Sequence, residues 1–109
     1  MKRFGQIMYL KPEGADEYVR LHAASWPGVL KRIAECNIRN YSIFKRDLIL
    51  FAYFEYVGED YERDMAYMAE DEETQRWWAT VSPLMDPVKD RKPGEFWANM
   101  TEIFYFDGQ

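Results

Sequence analysis

The order of apolar and helical segments along this 109-residue chain predicts an α+β fold: a ferredoxin-like plait with one four-stranded antiparallel sheet. Three observations carry that expectation. Apolar-rich runs recur at residues 3–10, 38–45, 48–56 and 100–106. A helical segment follows the first run and another follows the third. The second and third runs are separated only by a tight connection at Arg46-Asp47. The resulting order is strand, helix, strand, strand, helix, strand.

Each element has a local reason. RFGQIMYL is an apolar run stopped by Lys11-Pro12. Asp16 to Cys36 has helical composition, but Pro27 cannot sit inside an unbroken helix without losing a hydrogen bond. Proline is favoured at a helix's first position, so the segment divides into two abutting helices near Ser25 and Trp26. Val29, Leu30, Ile33 and Ala34 give the second helix its apolar face, and Asn37 ends it.

In the strand IRNYSIFK, simple alternation puts Ile38, Asn40, Ser42 and Phe44 on one face and Arg39, Tyr41, Ile43 and Lys45 on the other. Both faces are therefore mixed. LILFAYFEY, from Leu48 to Tyr56, is apolar on successive residues through Phe54 and needs cover on both sides, whereas so short a chain supplies helices for only one. The other side is expected to meet a second subunit or a ligand pocket. Residues 59–69 read as a helix carrying Tyr61, Met65 and Met68 on one face. Glu70-Asp71-Glu72-Glu73 caps and begins the next helix, which runs to Pro83, and it is given no catalytic role. Residues 86–96 have the Pro, Gly and charge of an irregular loop, and MTEIFYF closes the chain as a strand.

Composition removes several function classes. With 48% hydrophobic, 17% aromatic and 30% charged residues, the chain should fold as one domain over residues 1–109. Nineteen acidic against fourteen basic side chains, a net charge of -5 and no basic stripe argue against a nucleic-acid partner. No apolar run reaches the length of a membrane span, and the opening residues do not read as a signal peptide, so a cytoplasmic location without membrane association is expected. Cys36, the only cysteine, makes no internal disulfide and reads as a small buried or half-buried residue near the end of a helix. With one histidine there is no Cys/His set for a metal, and no Gly-rich phosphate loop is present.

Few residues remain for chemistry. Tyr18 and His22 are four apart on a helix and share a face, and an imidazole can both give and take a proton near neutrality. A lone helical histidine is nonetheless more often structural, and spacing alone does not settle its role. Tyr41 projects from mid-strand. Trp77 and Trp78 point about 100° apart on a helix, so both can be core residues, or one can pack inside while the other offers its face to a ligand.

Taken together and in order, EYVRLHAASWP (17–27), NYSIF (40–44), QRWW (75–78) and TEIFYF (101–106) resemble the L-rhamnose mutarotase family, over most of the chain. The resemblance implies a ferredoxin-like plait that dimerises through its sheets into a dimeric α/β barrel. It also implies a mutarotase acting on a free monosaccharide as a homodimer, with no cofactor and no metal. His22 falls on the family's catalytic proton donor, and Tyr18, Tyr41, Trp77 and Trp78 fall on its sugar-contacting positions. Between Asp86 and Ala98 the chain departs from the family's shorter polar loop, which bears on which 6-deoxy sugar is taken and on whether Trp97 enters the pocket. The alternative expectation is a plait of the same shape acting as an oxygenase, a haem-degrading protein or a ligand-binding module. A glycosidase would want two facing carboxylates; Glu55 and Glu102 are the candidates, and nothing in the spacing pairs them.

Overall fold

The computed structural model describes residues 1–108. Its elements are β1 (Lys2–Leu10), α1 (Ala15–Ala23), α2 (Pro27–Glu35), β2 (Ile38–Arg46), β3 (Ile49–Tyr56), α3 (Tyr61–Ala69), α4 (Glu72–Val81), β4 (Met85–Asp86) and β5 (Ala98–Met100). The sheet order is β2-β3-β1-β4, antiparallel throughout, with β5 also on β1. β4 pairs Tyr9 and Leu10 while β5 pairs Gly5 to Ile7. Two short strands thus share the fourth position of a ferredoxin-like sheet, interrupted by the loop at 87–97.

The final strand differs from expectation. Only Ala98–Met100 pairs, and residues 101–108 continue unpaired. Register accounts for part of this: Met100 lies opposite Gly5, so β1 offers no partner beyond residue 103, while residues 101–103 stay unpaired although β1 extends past them. Arg3 donates two hydrogen bonds of 2.8 Å to Glu102 and places its guanidinium 3.5 Å from the Tyr105 ring centroid, which ties the tail to the sheet's end. Ile103 and Phe104 nevertheless stay 93% and 81% exposed.

The helices cover one face of the sheet. Met8, Leu10, Leu50, Ala52, Phe54 and Tyr56 point into that layer and are buried. On the opposite face Tyr9, Phe44, Ile49 and Phe51 are exposed. One side of the doubly apolar β3 is therefore uncovered in a single chain.

Strand β2 departs from simple alternation. Its register on β3 shifts between Arg39 and Ser42, and Asn40 sits at φ 52°, a left-handed conformation that asparagine tolerates better than most residues. The bulge brings Ile38, Tyr41 and Ile43 to the helix-covered side. Asn40 instead donates to Glu55 at 2.8 Å, and Glu55 also accepts from the Tyr53 hydroxyl at 2.7 Å.

Helix boundaries follow the local chemistry. Pro27 opens α2 after Trp26, which adopts extended backbone. The α2 N-terminus is tied to α4, because the Gly28 N–H donates to the Glu73 carboxylate at 2.9 Å. A side chain at position 28 would collide with that carboxylate. Asp71 caps α4, accepting from the Thr74 N–H at 2.9 Å and its hydroxyl at 2.7 Å, and also from Arg32 at 3.3 Å. These bonds, that to the Thr74 hydroxyl foremost, hold the Asp71 carboxyl below its usual pKa. Replacing Asp71 by alanine should lower stability, as the loss of an N-cap does. Urea denaturation measures this, and an unchanged midpoint would mean that the cap is dispensable.

Candidate active site

Between the sheet and the helices lies a cavity of about 630 Å³, within the range of small-molecule sites. A second hollow of about 400 Å³ shares His22, Tyr41, Trp77 and Trp78 with it. Tyr18, His22, Tyr41, Trp77 and Trp78 all line the larger cavity, although they come from α1, β2 and α4.

His22 stands on the last turn of α1, just before the Trp-Pro break. Its Nδ1 lies 2.8 Å from the Tyr18 carbonyl oxygen. A carbonyl only accepts, so Nδ1 carries the proton and Nε2 is left to exchange one. Burial pushes the imidazole pKa below its ordinary value, opposed by the Tyr18 carbonyl, so the ring is neutral at pH 7. Tyr18 stacks on the imidazole with ring centroids 4.1 Å apart. Trp77 meets the same ring edge-on at 5.0 Å and is met in turn by Trp26 at 5.1 Å. The corner residue of the helix break thus braces the wall beside the histidine.

Tyr18 is buried, yet among the described residues its hydroxyl makes no hydrogen bond; the same holds for Tyr41. Loss of water is the main cause raising both phenol pKa values, that of Tyr41 to about 12, and Tyr18 is raised further by the neighbouring Tyr41. Tyr41 is 42% exposed as a residue, so this desolvation belongs to its position against Phe54, whose ring centroid is 5.3 Å away. Both phenols stay protonated at neutral pH and have an O–H to donate into the cavity.

The two tryptophans divide the roles that the sequence left open. Trp77 is 7% exposed and belongs to the apolar core, while Trp78 is 41% exposed at the cavity wall. Trp97 also lines the cavity, and so do Gln6, Glu95, Phe96 and Asn99, which sequence reading did not single out. Gln6 carried a faint signal as the one polar residue in the inward row Phe4, Gln6, Met8, Leu10. Glu95 and Asn99 carried none, because a loop's side-chain directions follow from its packing. Glu55 and Glu102 do not line the cavity and accept instead from Tyr53 and Arg3, as already described.

Fold and cavity together define a ferredoxin-like plait with a small-molecule pocket between sheet and helices. Known proteins narrow this further. The family model described as L-rhamnose mutarotase matches residues 3–106. A protein named L-rhamnose mutarotase from Oceanobacillus iheyensis is 37% identical, over 98% of this chain and 100% of that one. Its namesake from Lactiplantibacillus plantarum is 34% identical over the same shares. The chain belongs to the L-rhamnose mutarotase family. In overall fold it is similar to the crystal structure of L-rhamnose mutarotase FA22100 from Formosa agariphila, with a TM-score of 0.75 at 23% identity over 98% and 100% of the two chains. Tetracenomycin F2 cyclase from Streptomyces glaucescens is also similar in fold, with a TM-score of 0.67 at 15% identity over 97% and 96%.

The division between the tryptophans has a measurable consequence. Trp77→Ala empties a core position and should cost about 3–5 kcal/mol of stability, whereas Trp78→Ala should leave the unfolding midpoint nearly unchanged and weaken ligand binding instead. Equal losses of stability in the two variants would contradict this division.

Proposed function

We propose that the protein is an aldose mutarotase, interconverting the α and β anomers of L-rhamnose or a related 6-deoxy sugar by general acid/base ring opening. Family membership supports the reaction. The observation that carries the residue assignment is the hydrogen bond from His22 Nδ1 to the Tyr18 carbonyl, which leaves a neutral Nε2 on a cavity wall. Residues 1–109 act as one domain in this scheme.

The chemistry needs one proton carrier. In a cyclic sugar the anomeric oxygen and the ring oxygen are bonded to the same carbon, so a single nitrogen can reach both in turn. Nε2 of His22 accepts the anomeric hydroxyl proton while the C1=O bond forms and the bond from C1 to the ring oxygen breaks. The same proton then passes to the ring oxygen. Rotation about C1–C2 presents the other face of the aldehyde, and closure runs the steps in reverse. Nothing is oxidised and no group is transferred, so no cofactor is called for. Tyr18 and Tyr41 donate their O–H groups to sugar oxygens, Trp78 packs against the C–H face of the ring, and Trp77 closes the wall behind His22.

A second copy of the chain belongs to the same proposal. It covers the uncovered sheet face, where Tyr9, Phe44, Ile49 and Phe51 are exposed, together with the apolar tail. The homodimer is then a dimeric α/β barrel. Among the described residues no helix is long and apolar enough to cross a membrane, and the sole cysteine is free and buried. Both features support a cytoplasmic enzyme.

His22→Ala should lower kcat by about 10²- to 10⁴-fold, the usual contribution of a general acid/base, while leaving the thermal midpoint close to that of the wild type. Saturation transfer between the α and β proton signals of L-rhamnose measures the exchange; full activity in this variant would remove His22 from the mechanism. The pH profile follows from the sign of the shift. Because the neutral ring starts the reaction and its pKa lies below the ordinary 6.5, kcat/KM should be level above that pH and fall as pH drops through the lowered value. A profile that instead falls as pH rises through neutrality would call for an imidazolium. For the dimer, sedimentation should give twice the mass of one chain, and Phe51→Asp should shift the protein to monomer; a monomeric wild type refutes the assembly.

A further inference from the structure

The cavity has a second polar wall that the proton-transfer chemistry does not use. It is built on β1, β5 and the loop before β5. The Gln6 Nε2–H donates to Asn99 Oδ1 at 2.9 Å, and the Asn99 Nδ2–H donates to Glu95 Oε2 at 3.0 Å. The other Glu95 oxygen accepts from the Lys92 backbone N–H at 2.9 Å. All three side chains line the cavity together with His22.

The orientation of this chain follows from its end. Glu95 is ionised, its carboxyl held below the usual range chiefly by the Lys92 N–H, so it can only accept. Asn99 must then present its NH₂ to Glu95 and its oxygen to Gln6. Gln6 must in turn present its NH₂ to Asn99. Among the described residues the Gln6 and Asn99 side chains make no other hydrogen bond, which leaves Gln6 with Oε1 and one N–H and Asn99 with one N–H. An amide with a free acceptor beside a free donor matches two neighbouring hydroxyls of a sugar ring.

Strand register places these groups on the cavity floor. Asn99 lies opposite Gln6, Gln6 opposite Ala52, and Ala52 opposite Ile43, so the four form one row across the helix-covered face. Ala52 is small and fully buried, and of this row Asn99, Gln6 and Ile43 line the cavity. An uncharged polar residue in an otherwise apolar inward row of β1, with its Oε1 and one N–H open to a cavity, has a purpose if the occupant is polar.

We propose that Gln6 and Asn99 form the hydroxyl-reading edge of the sugar pocket, selecting vicinal ring hydroxyls away from the anomeric carbon, and that Glu95 is the positioning residue fixing the direction of their amides. This rests on the mutarotase assignment, which turns the anomeric carbon and ring oxygen toward His22 and the remaining hydroxyls toward this edge. It makes the sugar preference of this chain a property of β1 and the loop before β5, separate from the proton-transfer residues.

The test compares wild type, Gln6→Met and Glu95→Gln with L-rhamnose and its 2-, 3- and 4-deoxy analogues. Anomer exchange is followed by NMR, and affinity by calorimetric titration of the same samples. Gln6→Met keeps side-chain length and removes both polar atoms. It should raise KM for L-rhamnose about tenfold, the scale of a lost hydrogen bond with an unpaired partner, with kcat within about twofold. One deoxy analogue should bind the wild type about tenfold more weakly than L-rhamnose and bind Gln6→Met no worse than L-rhamnose does, because the hydroxyl and its reader are then both absent. Glu95→Gln should raise KM in the wild-type background and have no further effect on top of Gln6→Met. A purely structural role would lower thermal midpoints and leave discrimination among the analogues unmoved, and that result overturns the inference. So does an unchanged KM in Gln6→Met. If the wild type binds these sugars without accelerating exchange, the mutarotase assignment falls while the affinities still judge the reading edge; if it binds none of them, both fall.

Discussion

The layer between sheet and helices packs as two apolar clusters, and the site is the gap between them. One cluster gathers Met8, Leu10, Tyr18, Val29, Leu50, Trp77, Val81 and Met85; the other centres on Ile38, Phe54 and Tyr56, with Tyr61, Met65 and Met68 against it. Side chains from both line the cavity. A fully packed core would reach organic-crystal density and leave no such space. Here the inward row narrows to Ala52 and turns polar at Gln6, Ile33 packs against both clusters, and the space left is bounded in part by aromatic rings held by core packing. A site whose walls belong to the core is pre-organised, which would suit the proton transfer proposed for His22.

The helix break at Pro27 serves that arrangement. It ends α1 one turn after Tyr18, so His22 stands where its Nδ1 meets the Tyr18 carbonyl. It also turns Trp26 against Trp77, which packs on the imidazole from the other side. The Glu73 bond to Gly28 keeps α2 and α4 together next to this junction. A backbone constraint, an aromatic stack and a capping carboxylate thus converge on the orientation of one ring. The shared fold of tetracenomycin F2 cyclase illustrates why such details matter more than topology, since the plait by itself does not choose a chemistry.

Much of this was legible in the residues. The strand and helix order, the break before Pro27, the capping role of the acidic run at 70–73 and the uncovered side of β3 all follow from local rules of spacing, proline geometry and burial. The motif residues Tyr18, His22, Tyr41, Trp77 and Trp78 could be picked out by type and spacing, and with the resemblance they pointed to one pocket, which the fold does bring together. The last strand was overestimated because alternation of apolar residues says what a segment can do, not whether it pairs: β1 has no partner for residues 104–106, and residues 101–103 stay unpaired beside it.

The sequence alone determined most of the elements and their order, because these depend on contacts within a few residues, and it offered Tyr18, His22, Tyr41, Trp77 and Trp78 as candidates. Tertiary structure decided what those side chains face. The bulge at Asn40 turned Tyr41 to the helix-covered side against simple alternation, since pairing with β3 could absorb one extra residue there. Packing separated buried Trp77 from half-exposed Trp78. The chain from Gln6 to Asn99 to Glu95 joins residues 93 and 4 positions apart, and its direction is set by a carboxylate in a loop. Such a chain exists only when β5 lies beside β1, so its physical cause is long-range strand pairing, which no local pattern encodes.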